Sequence, residues 1–326
     1  MNSLVVSALL PVFLLVSAGF VAARMQLIRP ASIKDLSNLV FLLLTPALFF
    51  RTMSQVHIED LNFRPVAAYF VAVAILFGSI LLVQGFNRRA AVLALAGTFS
   101  NTIMIGIPLI GLMYGPQGMI TLLTLVSVHA LVLLTSATLV LEFAVAHEKN
   151  NPAAAGGEGS LDTLAPRSPL WMTVLKAVKN SVIHPVPLPI ICGLVFAQTP
   201  FTLHPGVDRA LELAGNAFSP LALVLVGITL GSTPIGRHLK PALGLVLVKN
   251  LAHPLLVFVL CRLFGLGGVP MAVMVIAAAL PIGANVFLFS QRYQVAEELV
   301  TASVAVSTVL ALVTLSAVLM LSAYLV

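Results

Sequence analysis

Ten stretches of this sequence are apolar over roughly twenty residues each, and that repetition limits what the chain can fold into. A helix needs about 20 mostly apolar residues to cross the hydrocarbon of a bilayer. Segments 2–23, 35–55, 64–86, 90–113, 117–142, 172–197, 207–231, 239–262, 269–290 and 298–325 meet that test. The 326 residues are 60% hydrophobic and 9% charged, against about 25% charged in a soluble domain. No soluble core could hide so much apolar surface, so lipid is the expected solvent, and the expected class is an all-α integral membrane protein.

The sequence carries a net charge of +6, with the basic residues scattered between apolar runs. That spread predicts membrane orientation rather than nucleic-acid binding. With the N-terminus outside, the inner loops hold twelve of the 17 basic residues: Arg24, Arg29, Lys34, Arg88, Arg89, Lys149, Arg167, Lys176, Lys179, Arg237, Lys240 and Arg292. The outer side holds only Arg51, Arg64, Arg209 and Arg262, and Lys249 falls inside a span. By the positive-inside rule both termini lie outside. The polar, Ala-, Gly- and Pro-rich stretch from His147 to Pro169 is then a cytoplasmic linker. Leu4 to Ala23 has no basic residue ahead of it and Arg24 and Arg29 behind it, so it is expected to be a retained first helix rather than a secretory signal. Cys192 and Cys261 fall in or beside apolar runs and predict neither a disulfide nor a metal site.

The two sides of the linker echo each other. Pro11-Val12, Gly19 and Thr45-Pro46 are matched by Pro185-Val186, Gly193 and Ser219-Pro220 at an offset of 174 residues. Arg64-Pro65 is matched by Lys240-Pro241, and Ala91-Val92 by Ala272-Val273. Thr121, Val126, Ser127, Ser136 and Ala137 are matched by Thr301, Val306, Ser307, Ser316 and Ala317. The offset drifts slowly across five segment pairs. Residues 1–142 and 172–326 thus form two five-helix repeats joined by a linker at 143–171. Because five is odd, the second repeat enters the membrane upside down, as in many secondary transporters.

Two segments carry residues that an unbroken span has no use for. The fourth contains Ser100-Asn101-Thr102-Ile103-Met104-Ile105-Gly106-Ile107-Pro108, and the ninth contains Pro281-Ile282-Gly283-Ala284-Asn285. Proline removes a backbone donor and glycine loosens a helix. Backbone opened at membrane depth is tolerated only inside protein or beside a watery cavity. An inverted repeat would bring these two broken helices across each other near the midplane. Their free N–H groups would suit an anion, and Asn101, Asn285, Ser100 and Thr102 would add side-chain donors. The expected substrate-binding residues are Ser100, Asn101, Thr102, Gly106, Pro108, Pro281, Gly283, Asn285 and Lys249. The bland alternative is that Asn and Pro only kink packed helices.

Lys249 lies about halfway along the eighth segment, with His253 one turn on and on the same face. A cation at membrane depth is costly and usually marks a partner or a pathway. The expectation is that Lys249 faces the crossing, either attracting an anion or bracing freed carbonyls. A purely structural contact far from substrate is the alternative. His253 is a candidate proton site, with a packing histidine the more ordinary alternative. Thr45-Pro46 and Ser219-Pro220 predict bends with a structural role, pore lining being the alternative, and Gly227-x-x-x-Gly231 predicts a close helix contact, either internal or at a dimer seam. Asp35, Asp208 and Glu212 read as solvated helix ends, and Glu297 and Glu298 as first-turn acids of the last helix. There is no Walker loop, no His-Glu-x-x-His and no Gly-x-Ser-x-Gly, so no ATP-driven or hydrolytic chemistry, no cofactor and no metal is expected.

Asn101-Thr102-Ile103-Met104-Ile105-Gly106-Ile107-Pro108 resembles the fourth-helix motif of the auxin efflux carrier family. Ser219-Pro220-Leu221-Ala222 with Gly227-Ile228-Thr229-Leu230-Gly231 resembles its seventh helix. His253-Pro254-Leu255-Leu256 and the stretch from Pro281 to Tyr293 are also similar, so the resemblance spans essentially the whole chain. It implies ten helices, with 1, 2, 6 and 7 as a scaffold and 3–5 and 8–10 as a transport domain. It also implies a homodimer through the scaffold, an elevator motion, and a small organic anion such as indole acetate or a dicarboxylate as cargo. By the resemblance, Asn101 lies near the substrate carboxylate, Pro108 and Pro281 mark the crossing, and the membrane is a bacterial inner membrane. A sodium-coupled carrier of the bile-acid type and a non-transporting polytopic receptor remain the alternatives.

Overall fold

A computed structural model describes residues 2–150, 187–232 and 239–322. Most of the linker, the segment 172–186, Pro185-Val186 and the basic residues Arg167, Lys176, Lys179 and Arg237 lie outside the described residues. Those described are helical: α1 (Asn2–Arg24), α2 (Pro30–Leu39), α3 (Thr45–Met53), α4 (Phe63–Gln84), α5 (Arg88–Thr98) and α6 (Ile107–Asn150) precede the linker. After it come α7 (Pro187–Ala197), α8 (Pro205–Ser232), α9 (Leu239–Leu247), α10 (His253–Leu263), α11 (Gly268–Ala279), α12 (Asn285–Tyr293) and α13 (Glu297–Ser322). Among them, six helical stretches are long and apolar enough to cross a membrane.

Part of the difference from ten segments is that the sixth is described only from Pro187 and the first counts only as Leu10–Arg24; the rest has local causes. The fourth and ninth segments are interrupted, into α5 and the start of α6, and into α11 and α12. The fourth and fifth run together through α6, which kinks at Gly115 (φ 54°, ψ −145°) just before Pro116.

Proline also explains three irregular turns. Residues Val40–Leu44, Thr102–Gly106 and Val248–Ala252 form π-helical turns. Each ends two residues before a proline: Pro46, Pro108 and Pro254. A proline cannot donate to the carbonyl four residues back. The residue just ahead of it instead bonds five back: Thr45 to the Val40 carbonyl, Ile107 to Thr102 and His253 to Val248. Pro11 and Pro220 lie inside continuous helices, so of the two expected bends at Thr45-Pro46 and Ser219-Pro220 the first alone coincides with a changed hydrogen-bond register.

Glycine sets the closest helix contacts. A Cβ on Gly19 would stand 2.0 Å from the Val224 carbonyl oxygen, and one on Gly227 would stand 2.0 Å from that of Val16. Gly231 meets Phe20 and Ala23 in the same way. The Gly227-x-x-x-Gly231 motif is therefore an internal seam between α8 and α1, which leaves the dimer-seam alternative without that face. Gly193 plays the same part between α7 and α3, where a Cβ would meet the Phe50 carbonyl oxygen at 2.6 Å.

Two ion-pair clusters tie helix ends together. Arg51 on α3 donates to both carboxylate oxygens of Asp208 on α8, at 2.8 and 3.1 Å. Glu212 lies 3.8 Å from Arg51 and takes a 2.8 Å bond from Arg209. Asp208 and Glu212 are thus paired rather than simply solvated, because α3 and α8 pack closely enough to bring Arg51 to them. At the start of α5, Arg88 and Glu148 are both buried. Glu148 accepts from the Arg88 backbone N–H and Nε at 2.6 Å each, and Arg88 Nη1 donates to the Tyr293 carbonyl at 3.2 Å. Tyr293 Oη donates to Glu142 at 3.0 Å. Glu297 and Glu298 stand in the first turn of α13.

Candidate functional site

The two interruptions meet. Ser100 and Ile282 pair as a short antiparallel bridge. The Asn101 N–H donates to the Pro281 carbonyl at 2.9 Å, and the Gly283 N–H donates to the Phe99 carbonyl at 3.0 Å. Both sequences break for the reasons given above, and each uses the other's freed backbone groups. Gly283 is required by this approach. A Cβ there would stand 2.6 Å from the Phe99 ring and 3.3 Å from the Ser100 carbonyl oxygen. The Ile282 N–H is taken up by Ser307 Oγ on α13 at 3.1 Å. Ser307 belongs to the site although sequence reading used it only as a repeat match.

Four helix ends converge on this bridge: the carbonyl ends of α5 and α11, and the N–H ends of the Thr102–Gly106 turn and of α12. Helix ends carry roughly half a charge each, positive at N–H ends and negative at carbonyl ends. The carbonyl end of α11 has a cation: fully buried Lys249 donates from Nζ to the carbonyls of Ala278 at 2.5 Å and Leu280 at 2.6 Å. The lysine therefore reaches the ninth-segment break itself. Neighbouring Asn250 donates to the Ser307 carbonyl at 3.1 Å and so ties the same turn to α13. The acidic residues that the described part of the chain pairs lie at helix ends instead, in the two clusters above.

The other candidate residues divide by exposure. Asn101 is half-buried, and its Oδ1 accepts from the Met104 N–H at 3.2 Å, which caps the turn. Asn285 is half-buried at the start of α12, with exposed Ala284 before it. Ser100, Thr102, Gly106, Pro108, Pro281 and Gly283 are buried around the bridge. A Cβ on Gly106 would press on the Leu280 side chain at 2.8 Å, so the two breaks touch here as well.

Sequence reading missed two members of this neighbourhood. Buried Tyr69 on α4 places its Oη 3.2 Å from Ser100 Oγ and 3.3 Å from His129 Nε2 on α6. His253 is fully buried beside them, with its ring 5.3 Å from that of Tyr69. Phe99 covers the other side of His129 at 4.9 Å between rings. The signal was available: Tyr69 and His129 are polar groups inside apolar spans, the criterion that singled out Lys249.

The chain is 24% identical over 319 residues to a Rhizobium meliloti (strain 1021) protein named "Putative malonate transporter", covering 96% of this chain and 94% of that one. It is 22% identical over 348 residues to auxin efflux carrier component 8 of Arabidopsis thaliana, covering 95% of each. Family and relatives alike are transporters rather than enzymes. Residues 4–319 match the membrane transport protein model, and the chain belongs to that family, in which the auxin efflux carriers fall.

Proposed function

We propose that the chain is a secondary carrier for a small organic anion, held at the crossing of the fourth and ninth helices. One observation carries this reading. At the Ser100–Ile282 bridge the carbonyl end of α11 is matched by Lys249, while the two N–H ends have no anionic partner among the described residues. The surplus is positive, and a carboxylate would complete it. Asn101 Nδ2 and Asn285 would supply the directional bonds. Ser100, Thr102, Gly106, Pro108, Pro281 and Gly283 shape the opening. The relatives' names make malonate and auxin-like carboxylates the first compounds to try.

The same reading extends to the whole protein. The ten segments form two five-helix inverted repeats. Helices 1, 2, 6 and 7 (α1 to α3, α7 and α8) are the scaffold of a homodimer, and helices 3–5 and 8–10 (α4 to α6, α9 to α13) move as one body in an elevator cycle. Both termini lie on the outer face of the inner membrane. Uptake of labelled malonate and indole acetate into liposomes holding the purified protein tests the assignment. Saturable flux is expected, with Asn101→Ala weakening substrate affinity by about tenfold, the size of one lost hydrogen bond to a charged group. Binding without flux would make the protein a receptor. Flux that follows only a sodium gradient would make it a bile-acid-type symporter. Intact binding and flux in Asn101→Ala would place the site elsewhere.

A further inference from the structure

His253 is buried completely, and neither ring nitrogen has a hydrogen-bond partner among the described residues. Buried polar groups are nearly always bonded, and an exception in a folded core asks for a role. The ring begins α10 directly after a π-helical turn, a local feature often found at functional sites. Its surroundings are unusual in charge. Lys249 lies one turn before it, Tyr69 packs on it from α4, and His129 reaches Tyr69 from α6. The face of α11 has no titratable group anywhere in Gly268–Ala279. Among the described residues every ionisable neighbour is thus a base or a phenol, and no carboxylate pairs with any of them. A second positive charge beside Lys249 is unfavourable in this cluster until a negative one arrives.

We propose that His253 is the coupling site of the carrier, taking up one proton when a carboxylate binds at the Ser100–Ile282 bridge. The inference rests on the anion-carrier reading above. The path is short. Tyr69 Oη touches Ser100 Oγ at the bridge and its ring lies on His253, while Lys249 spans from the turn of His253 to the carbonyls at the break. An anion at the bridge supplies the missing negative charge, which favours imidazolium over imidazole. Linkage makes the effect mutual: the anion draws in the proton, and the proton tightens the anion. Unpaired ring nitrogens suit this duty, because no protein bond has to break for the proton to be taken up. Transport would then carry the anion and a proton together.

Calorimetry of malonate binding to the purified full chain, in two buffers of different ionisation enthalpy, counts protons taken up per anion bound. Between about pH 7.5 and 8.5, where malonate is itself almost wholly a dianion, the wild type should take up a substantial fraction of one proton. Its affinity should then rise by up to about tenfold per unit fall in pH. His253→Gln should bind malonate with no proton uptake and with an affinity that pH does not change. His129→Gln should still take up the proton, which separates the two histidines. In liposomes, malonate entry should acidify the lumen for the wild type and not for His253→Gln. Malonate binding by the wild type without proton uptake, or uptake that persists in His253→Gln, overturns the proposal and leaves the anion carrier standing. If neither malonate nor indole acetate binds the wild type, the carrier reading falls first and the coupling site with it.

Discussion

Lys249 shows how a single residue can hold a broken membrane helix together. Its Nζ satisfies two carbonyls that the end of α11 leaves open at Ala278 and Leu280, deep in the protein. A bond to a charged donor contributes about 1.5–3 kcal/mol, and an orphaned buried carbonyl costs a comparable amount. Lys249→Met should therefore destabilise the protein by about 3 kcal/mol without any substrate present, which in a chain of 326 residues lowers the thermal midpoint by roughly 4–5 °C. Thermal unfolding in detergent reads it. An unchanged midpoint would mean that the lysine does not support the break. At this scale the sequence was partly legible. A cation in mid-span stands out because its cost in lipid is so high, and Asn101, Gly283 and Pro108 stand out because no continuous helix selects them. Tyr69 and His129 did not stand out. A phenol or an imidazole can pass for packing until a structure shows what its polar atom touches.

Elements were legible where covalent constraints decide them and hidden where packing does. Three prolines announce three π-helical turns, since each removes one donor at a fixed place. The kink at Gly115-Pro116 has the same origin, but Gly115 also needs its positive φ, and that depends on how the neighbouring helices turn. Which helix Gly227 faces could not be read from spacing alone, because the motif serves internal and dimer contacts equally. The structure gives the answer as α1, with Gly19 and Gly227 each lying against the other helix's backbone. Gly227→Val should thus disrupt the monomer itself. With backbone only 2.0 Å from the new Cβ, neither helix can yield by rotating a side chain. Overpacking of this kind costs about 1–3 kcal/mol or more. The expected result is a lower thermal midpoint or loss of folded protein at every concentration. A variant that folds normally and only shifts between dimer and monomer would put the motif on an outer seam instead.

Across the whole molecule, the distribution of paired charge bears on the proposed elevator motion. Arg51 with Asp208 joins α3 to α8, both assigned here to the scaffold. Arg88 with Glu148 and Tyr293 joins α5, α6 and α12, all assigned to the moving body. Neither cluster bridges the two proposed bodies, as the proposed elevator would require, since an ion pair that had to break in every cycle would add its cost to the barrier. Glu148→Gln leaves the buried guanidinium of Arg88 without its charge partner, and breaking such a pair costs about 3–5 kcal/mol. Adding Arg88→Gln removes the stranded charge, so the double variant should regain much of that loss, as buried pairs replaced together often do. The two midpoints measure the stability half of the prediction. The transport half follows from rigid bodies: with Arg88 and Glu148 at fixed separation through the cycle, malonate flux per folded molecule should be close to wild type in the double variant. If the double variant is as stable as expected but carries malonate at a small fraction of the wild-type rate, the pair changes partners during transport. The boundary between the bodies would then have to be redrawn through α5 and α6.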